Sequence, residues 1–179
     1  MPLGVLLGPA SRARDRHSVV PCASWLDCRG AVRVNAITFT VLGEPVPQPR
    51  PRIAARGRFA HAYVPKDHQI HAFRESVRIA ALAAGVQIAQ GPVVVSALCV
   101  WERPASHRKA DGSLTSNAPL WPGMRCGDAD NIIKGIKDAL KGVAYHDDSQ
   151  ADLGPVQRRY GRSSFVRVSI VEFEPEDFD

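Results

Sequence analysis

The sequence predicts an α+β fold, a two-layer sandwich in which two main helices pack on one mixed or mostly antiparallel sheet. Segments of alternating apolar and polar residues predict strands, a long apolar run predicts a central strand, and two segments with apolar residues every three or four positions predict amphipathic helices. In chain order the elements are strand, hairpin, helix, strand, loop, helix and hairpin. Two helices over one sheet would form two layers around a shared core.

The length and the cysteine content limit the classes of protein to which the chain can belong. Its 179 residues suffice for one domain with a substantial core, and no apolar run approaches the length of a membrane-spanning helix. The four cysteines show no Cys-x-x-Cys spacing, which favours neither a disulfide framework nor a zinc site, so we expect a cytoplasmic protein. The sequence contains no glycine-rich nucleotide-binding motif, which argues against a nucleotide-driven enzyme.

Three segments of the chain differ in composition. Residues 1–35 combine proline, glycine and scattered arginine without periodicity, which predicts a disordered N-terminal extension. Residues 36–175 carry all the predicted elements, and residues 176–179 form a short acidic tail. Residues 36–171 contain 18 basic and 11 acidic residues, a net charge of +7. A basic body attracts phosphate groups, although many proteins are mildly basic and charge alone decides little.

A strand, a proline-rich arm and a hairpin open the predicted domain. Residues 36–42 alternate in polarity, and Pro45–Pro51 is too rich in proline for a helix or a central strand, so it should run extended over the surface. A turn at Arg56-Gly57 would pair Arg52–Ala54 with Phe59–Val64. The arm and hairpin carry Arg50, Arg52, Arg56 and Arg58. These arginines predict a phosphate-binding surface, with a solvated charged loop as the alternative.

The remaining elements lie on either side of one long loop. The periodicity predicts a helix from about Lys66 to Ala84, which begins after a proline and ends before a glycine. Val93–Trp101 has the apolar composition of a central strand. Residues 102–125 are rich in proline, serine and basic residues, and we expect this loop to flank the substrate. Two strands, Pro155–Tyr160 and Phe165–Phe173, should then form a C-terminal hairpin.

Five aspartates are concentrated in and around the second predicted helix. A helix over Asp130–Lys141 gathers its apolar residues on one side and most of its charged residues on the other. Asp130 is a favoured N-cap residue, and Gly142 suits the position after the last turn. Val143–Tyr145 should return as a short extended segment and carry Asp147-Asp148 back towards the start of the helix.

Carboxylates gathered at one point repel one another, and a divalent cation relieves that repulsion. Mg²⁺ binds carboxylates, waters and phosphate oxygens, so Asp128 and Asp130 with one of the two later aspartates suit metal-assisted phosphodiester hydrolysis. Lys134 would stabilise negative charge on the phosphate. In the alternative interpretation the aspartates are caps and turn residues, and Lys134 is an ion-pair partner of Asp130 on a solvated face. The pattern alone leaves both interpretations open.

A signature of mixed chemistry runs through this stretch. It consists of Asp128-x-Asp130-Asn131-x-x-Lys134, Asp138-Ala139-Leu140, Gly142-Val143-Ala144-Tyr145 and Asp147-Asp148-Ser149-Gln150. This signature resembles that of the RusA family of Holliday-junction resolvases, which are small Mg²⁺-dependent endodeoxyribonucleases often carried by phages and prophages. The resemblance extends more loosely over residues 37–173, where Gly43–Arg52 is similar to the opening segment of many members. The chain departs from the family in having Cys126-Gly127 where many members have Lys-Pro.

The resemblance implies a role for each of four residues and a set of partners. Asp128, Asp130 and Asp148 would bind the Mg²⁺ cofactor, and Lys134 would act in catalysis. The resemblance also implies that the protein is a homodimer and that its basic surface binds branched DNA. The predicted DNA-binding residues are Arg50, Arg52, Arg56, Arg58, Arg125 and Lys137.

The sequence therefore predicts a crossover junction endodeoxyribonuclease, a Mg²⁺-dependent and structure-selective endonuclease that resolves Holliday junctions in DNA recombination and repair. Two alternatives remain. The chain could be a catalytically inactive junction-binding module, in which replacing Asp130 would affect folding rather than cleavage. It could also be a Mg²⁺ phosphohydrolase acting on nucleotides, whose affinity for its substrate would depend only weakly on salt.

Overall fold

Six strands and two α-helices form within the part of the chain that the structure describes, residues 35–56 and 59–173 of a computed structural model. The strands are β1 (Asn35–Leu42), β2 (Arg52–Arg56), β3 (Phe59–Tyr63), β4 (Val93–Glu102), β5 (Ala151–Gly161) and β6 (Phe165–Glu172). The helices are α1 (Ile70–Ala83) and α2 (Ala129–Leu140). The predicted extension up to residue 34, the hairpin turn at Gly57, Arg58 and the acidic tail lie outside the described residues.

Four of the strands form one mixed sheet in the order β1-β6-β4-β5. β6 pairs antiparallel with both β1 and β4, whereas β4 and β5 run parallel. β2 and β3 form a separate antiparallel hairpin, as predicted. The two helices contact each other and the sheet. The prediction of an α+β fold with two helices on a mixed sheet is therefore confirmed.

One face of the sheet and the inner faces of the helices form the core. β4 buries every second residue from Val93 to Trp101, because a strand directs successive side chains to opposite faces, and Cys99 is buried as predicted. The helices contribute Ile70, Phe73, Val77 and Ala81 from α1 and Ile132, Ile133, Ile136, Ala139 and Leu140 from α2. The opposite side of α2 is therefore available for charged side chains.

The predicted hairpin between the last two strands is wrong, because β4 lies between β5 and β6. β4 is the most apolar strand, and in a central position both of its edges are paired with neighbouring strands. Residues 162–164 cross its end, where the amide of Glu102 donates to Ser164 Oγ at 2.8 Å. The connection from β5 to β6 can reach roughly 13 Å. Neighbouring strands lie about 5 Å apart, so strands on either side of a third are about 10 Å apart and the connection can pass β4.

Helix α1 is shorter than predicted. The pattern predicts a start near Lys66, but the helix begins at Ile70. The Nδ1 atom of His68 accepts the amide proton of Ile70 at 3.1 Å, and the Nε2 atom of His71 lies 3.0 Å from the carbonyl oxygen of Pro65. Histidine side chains thus serve backbone groups at the helix entrance. Neither helix of the described residues is long and apolar enough to cross a membrane.

Candidate active site

The N-terminus of α2 presents the first two predicted site residues. Asp128, rather than Asp130, is the N-cap residue, so the helix begins one residue earlier than predicted. The backbone of Asp128 is extended (φ −83°, ψ 151°), and its side chain makes no capping hydrogen bond. Asp130 lies in the first turn and is exposed. Both carboxylates are therefore near the positive end of the helix dipole, and neither is used as a side-chain cap of α2.

A pocket of about 310 Å³ lies between α2 and the segment that follows it. Its lining consists of Asp130, Ile133, Lys134, Lys137, Asp138, Asp148 and Leu153. The pocket thus brings together Asp130, Lys134 and Asp148, three of the four predicted catalytic residues, whereas Asp128 is not part of this lining. Among the ion pairs of the described residues, none joins Asp130 to Lys134. The interpretation of these two residues as an ion pair is therefore not supported.

A tight turn carries Asp148 into the pocket. The predicted extended return at Val143–Tyr145 is wrong, because the amides of Val143 and Ala144 both donate to the carbonyl oxygen of Leu140, at 2.9 and 2.8 Å. Gly142 has a φ of 76°, which favours glycine, and its amide donates to the carbonyl oxygen of Tyr145 at 2.8 Å.

The side chain of Tyr145 fixes this turn to the helix. Tyr145 is fully buried, and its hydroxyl donates to the carbonyl oxygen of Lys137 at 2.7 Å. Burial, reinforced by the nearby carboxylates of Asp148 and Asp138, raises the pKa of Tyr145 above its ordinary value. The hydroxyl therefore stays protonated and remains a donor to the last turn of α2. This contact holds the chain that leads to Asp148 against the helix that carries Asp130.

Asp147 and Asp148 have different surroundings although they are adjacent. The Asp147 carboxylate accepts the amide proton of Ser149 at 3.1 Å and an ammonium proton of Lys141 at 2.9 Å. The hydrogen bond from Lys141 holds the pKa of Asp147 well below its usual range and raises that of Lys141. Gln150 completes a capping box with Asp147. Asp147 therefore caps a short 3₁₀ helix, Asp148–Gln150, whereas Asp148 lines the pocket and its Oδ2 atom lies 3.9 Å from Lys141 Nζ.

A third carboxylate of the pocket, Asp138, is held by an arginine from the other helix. Arg74 of α1 donates through Nη2 to Asp138 and to Gln48 Oε1, the latter at 2.7 Å. No function was predicted from the sequence for either Arg74 or Asp138. Helical periodicity had already placed Asp138, four positions after Lys134, among the charged residues of this face. No local pattern could have identified Arg74, which lies 64 positions away.

Strand β5 forms one wall of the pocket and is tied to α2 and to the loop before it. Lys137 Nζ donates to the carbonyl oxygen of Ala151, the first residue of β5. Arg158 Nη1 donates to the carbonyl oxygen of Gly127 at 2.6 Å, just before Asp128. One of the three ammonium N–H groups of Lys137, a predicted DNA-binding residue, is thus already bonded within the protein. These two bonds connect β5 to α2 and to the residue before Asp128.

The chemistry of the pocket fits Mg²⁺. No three His, Cys, Asp or Glu side chains within residues 35–56 and 59–173 lie close enough together to hold a metal ion by themselves. Mg²⁺ is often held by one or two carboxylates and completes its octahedral coordination with waters and substrate oxygens. Asp130 and Asp148 are exposed in one pocket and supply two such carboxylates, and Asp128 precedes Asp130 by two residues.

The proline-rich arm passes directly over the start of α2. The amide of Gln48 donates to the carbonyl oxygen of Asn131 at 2.9 Å. A Cβ atom at Gly127 would lie 2.5 Å from Cβ of Pro47, so this position requires glycine, whose φ is 76°. Arg50 follows Gln48 by two residues, within roughly 7 Å of chain. The arm therefore places exposed Arg50 two residues from its contact with α2.

The other predicted DNA-binding arginines are distributed along the hairpin and the long loop. Arg52 is exposed at the start of β2, and Arg125 is exposed in a 3₁₀ turn, Met124–Cys126, that leads to Asp128. The side chains of Arg56 and Arg58 lie outside the described residues. The long loop packs on the sheet through Arg103, whose guanidinium lies 4.6 Å from the ring centroid of Tyr160.

Two comparisons relate this sequence to known proteins. Residues 43–171 match the family model described as endodeoxyribonuclease RusA. A protein of Bacillus subtilis (strain 168) described as "Uncharacterized protein YqaN" is 33% identical over 142 residues, which cover 78% of this chain and 98% of the relative. The matched residues include both helices, strands β4 and β5, and all of β6 except Glu172. They also include every residue that lines the pocket.

Proposed function

Because this chain belongs to the endodeoxyribonuclease RusA family, we propose that it is a Mg²⁺-dependent endonuclease that cuts branched DNA and resolves Holliday junctions. The observation that carries this proposal is the single pocket shared by Asp130, Lys134 and Asp148. Two carboxylates and an ammonium group suit a phosphodiester, because a bound cation and the lysine would together balance its charge. Such cleavage would serve DNA recombination and repair.

The pocket residues have different roles in this proposal. Asp128, Asp130 and Asp148 hold Mg²⁺, which when bound acts as a Lewis acid on a phosphoryl oxygen. Lys134 lies one turn after Asp130 on the same face of α2, where its ammonium group donates to the phosphate as negative charge develops. Asp138 takes no part in metal binding, because Arg74 engages it.

The surface around the pocket binds the DNA backbone in this proposal. Arg50, Arg52 and Arg125 are exposed on three segments, and each would contact a phosphate rather than a base. A four-way junction is two-fold symmetric, and its resolution requires matched cuts in two strands. A homodimer would present two such pockets to the junction.

Cleavage of a labelled synthetic four-way junction tests the proposal. The native protein should make paired nicks in Mg²⁺ and none in EDTA, and it should spare a linear duplex of the same sequence. Asp130→Asn should lower the cleavage rate at least about 100-fold and leave junction binding intact, because it removes a metal ligand but not the basic surface. Asp67→Asn is the matched control, since Asp67 is exposed before α1 and lies outside the pocket lining.

Three outcomes would contradict the proposal. Tight junction binding without cleavage under any divalent metal would identify an inactive junction-binding module. Hydrolysis of nucleotides with an affinity that hardly depends on salt would identify a phosphohydrolase. Loss of folding in Asp130→Asn, seen by circular dichroism, would make the carboxylate structural.

A further inference from the structure

One residue of the pocket wall differs from the rest in chemistry. Leu153 is 61% exposed, whereas Ile133, the other apolar lining residue, is only 2% exposed. All the remaining lining residues are charged. A single exposed leucine on a protein surface is ordinary, so exposure alone carries no argument. The position of Leu153 in a charged pocket is what requires an explanation.

The sheet register directs Leu153 towards the core side of the sheet. Leu153 pairs with Val95 of β4, and Val95 is fully buried beneath the helices. Residues paired across neighbouring strands direct their side chains to the same face. Leu153 therefore lies on the helix-covered face, yet α2 leaves it uncovered at the pocket. An apolar residue on the core side of a sheet would normally be covered.

A β-bulge directly after Leu153 fixes this position. Between the pairs Val95↔Leu153 and Ala97↔Val156, β4 has one residue and β5 has two. Bulges beside active sites commonly redirect a side chain. Gly154 makes this bulge possible, because a Cβ atom there would lie 2.1 Å from Ser96 Oγ. The strand pair with Val95 and the bulge that follows define the backbone on both sides of Leu153.

Leu153 also stands between the two anchors of β5. The bond from Lys137 to Ala151 lies two residues before it, and the bond from Arg158 to Gly127 lies five residues after it. The wall is therefore fixed relative to Asp130 and Lys134. A fixed apolar surface in a pocket for a phosphodiester offers no contact to the phosphate itself. It suits the sugar or base attached to that phosphate.

Resting on the function proposed above, we propose that Leu153 contacts the DNA substrate and packs against the apolar face of the nucleoside next to the scissile phosphate. A pocket of about 310 Å³ is at the lower end of the range for small-ligand sites, which suits one nucleotide unit. Leu153→Ala should raise KM about five- to tenfold and leave kcat within about twofold, because the contact is made equally in the ground and transition states. Leu153→Met should retain most of the affinity.

The experiment compares Leu153→Ala with Leu82→Ala, a matched control. Leu82 is 57% exposed on α1 and lies outside the pocket lining. Cleavage of the labelled junction gives kcat and KM, and fluorescence anisotropy in the Asp130→Asn background gives the affinity without cleavage. Replacing the nucleotides beside the mapped cut with abasic sites distinguishes the two possible contacts. The effect of Leu153→Ala disappears on the abasic DNA if the contact is to the base and persists if it is to the sugar.

The outcomes separate this inference from the function on which it rests. Absence of cleavage by the native protein in Mg²⁺ would contradict the proposed function, and the anisotropy comparison would still decide the role of Leu153. If Leu153→Ala behaves like Leu82→Ala in both assays, the inference is wrong and the nuclease assignment stands. A loss of kcat at unchanged KM would also overturn the inference, because it would indicate a distorted pocket rather than a lost substrate contact.

Discussion

Helix α2 carries predicted catalytic residues, and the β2–β3 hairpin carries predicted DNA-binding residues. The first element is packed in the core, whereas the second is exposed. α2 buries six of its 12 residues in the core, and Tyr145 hydrogen-bonds to its last turn. All five residues of β3 are exposed, and Ile53 of β2 and Phe59 of β3 are 76% and 83% exposed. Among the described elements, the two hairpin strands contact chiefly each other.

This difference matches what each region must do in the proposed function. Groups that hold a metal and a reacting phosphate must keep their geometry within about 0.5 Å, which a helix packed in the core provides. Groups that neutralise backbone phosphates need only charge and reach. An isolated two-stranded hairpin is marginally stable in water and can adapt to the DNA it contacts. Substitutions in α2 should therefore change stability, and substitutions in the hairpin should change DNA affinity.

The largest expected effect comes from shortening a core residue of α2. Ile136 is fully buried, so Ile136→Ala should lower the free energy of unfolding by about 2–5 kcal/mol through lost burial and a cavity. The same substitution in the hairpin, Ile53→Ala, should change it by less than about 0.5 kcal/mol, because Ile53 is already in contact with water. Urea unfolding followed by circular dichroism measures both. Equal losses in the two variants would show that the hairpin is packed in solution.

A smaller effect is expected where α1 holds the pocket residue Asp138. The side chains of Arg74 and Asp138 are 26% and 30% exposed, so their ion pair is partly shielded from water. Arg74→Ala should lower the free energy of unfolding by about 1–2 kcal/mol, because it leaves a partly buried carboxylate without its cation. A double-mutant cycle with Asp138→Asn measures the coupling between the two residues.

The control for this cycle is an exposed ion pair within α1. Arg78 Nε lies 4.0 Å from Glu75 Oε2 on α1, and the two side chains are 45% and 63% exposed. Solvent screens such a pair, so Arg78→Ala should cost less than about 0.5 kcal/mol. A coupling energy for Arg74 and Asp138 no larger than that of the exposed pair would contradict the role given to Arg74.

Local signals predicted which helices and strands form, whereas the pairing of the last two strands was predicted wrongly. The bounds of α2 differ from the predicted ones by one residue, because its apolar periodicity and its cap residues all lie within the helix and its flanks. The C-terminal hairpin was wrong because strand order depends on which strands compete for the centre of the sheet. β4 takes that place through its apolar content, and no feature of β5 or β6 alone reveals it.

The same distinction applies to the pocket. Asp130 and Lys134 are four positions apart on one helix, so their proximity follows from helical geometry. Asp148 arrives through a turn whose glycine and buried tyrosine were visible in the sequence, although its conformation was predicted wrongly. Arg74 and Leu153 could not be predicted. One depends on the packing of two helices and the other on a bulge in a parallel strand pair.

The smallest effect on stability, and the clearest test of the hairpin, is expected from removing one of its arginines. Arg52→Gln should leave the free energy of unfolding unchanged and weaken junction binding a few-fold. The slope of log K against log salt should fall by about one unit, because one phosphate contact and its released counterion are lost. Anisotropy titrations of a labelled junction at several salt concentrations measure both quantities.

Arg159→Gln removes the same charge from another place and serves as the control. Its neighbour Arg158 pairs with buried Cys99, so alternation along β5 directs Arg159 to the sheet face opposite the helices and the pocket. If the binding surface is the arm, hairpin and pocket side, Arg159→Gln should leave the salt slope unchanged. Equal changes in slope for both variants would mean that junction binding depends only on the net charge of the protein. The hairpin would then have no specific role in binding, and the contrast with α2 would be one of stability alone.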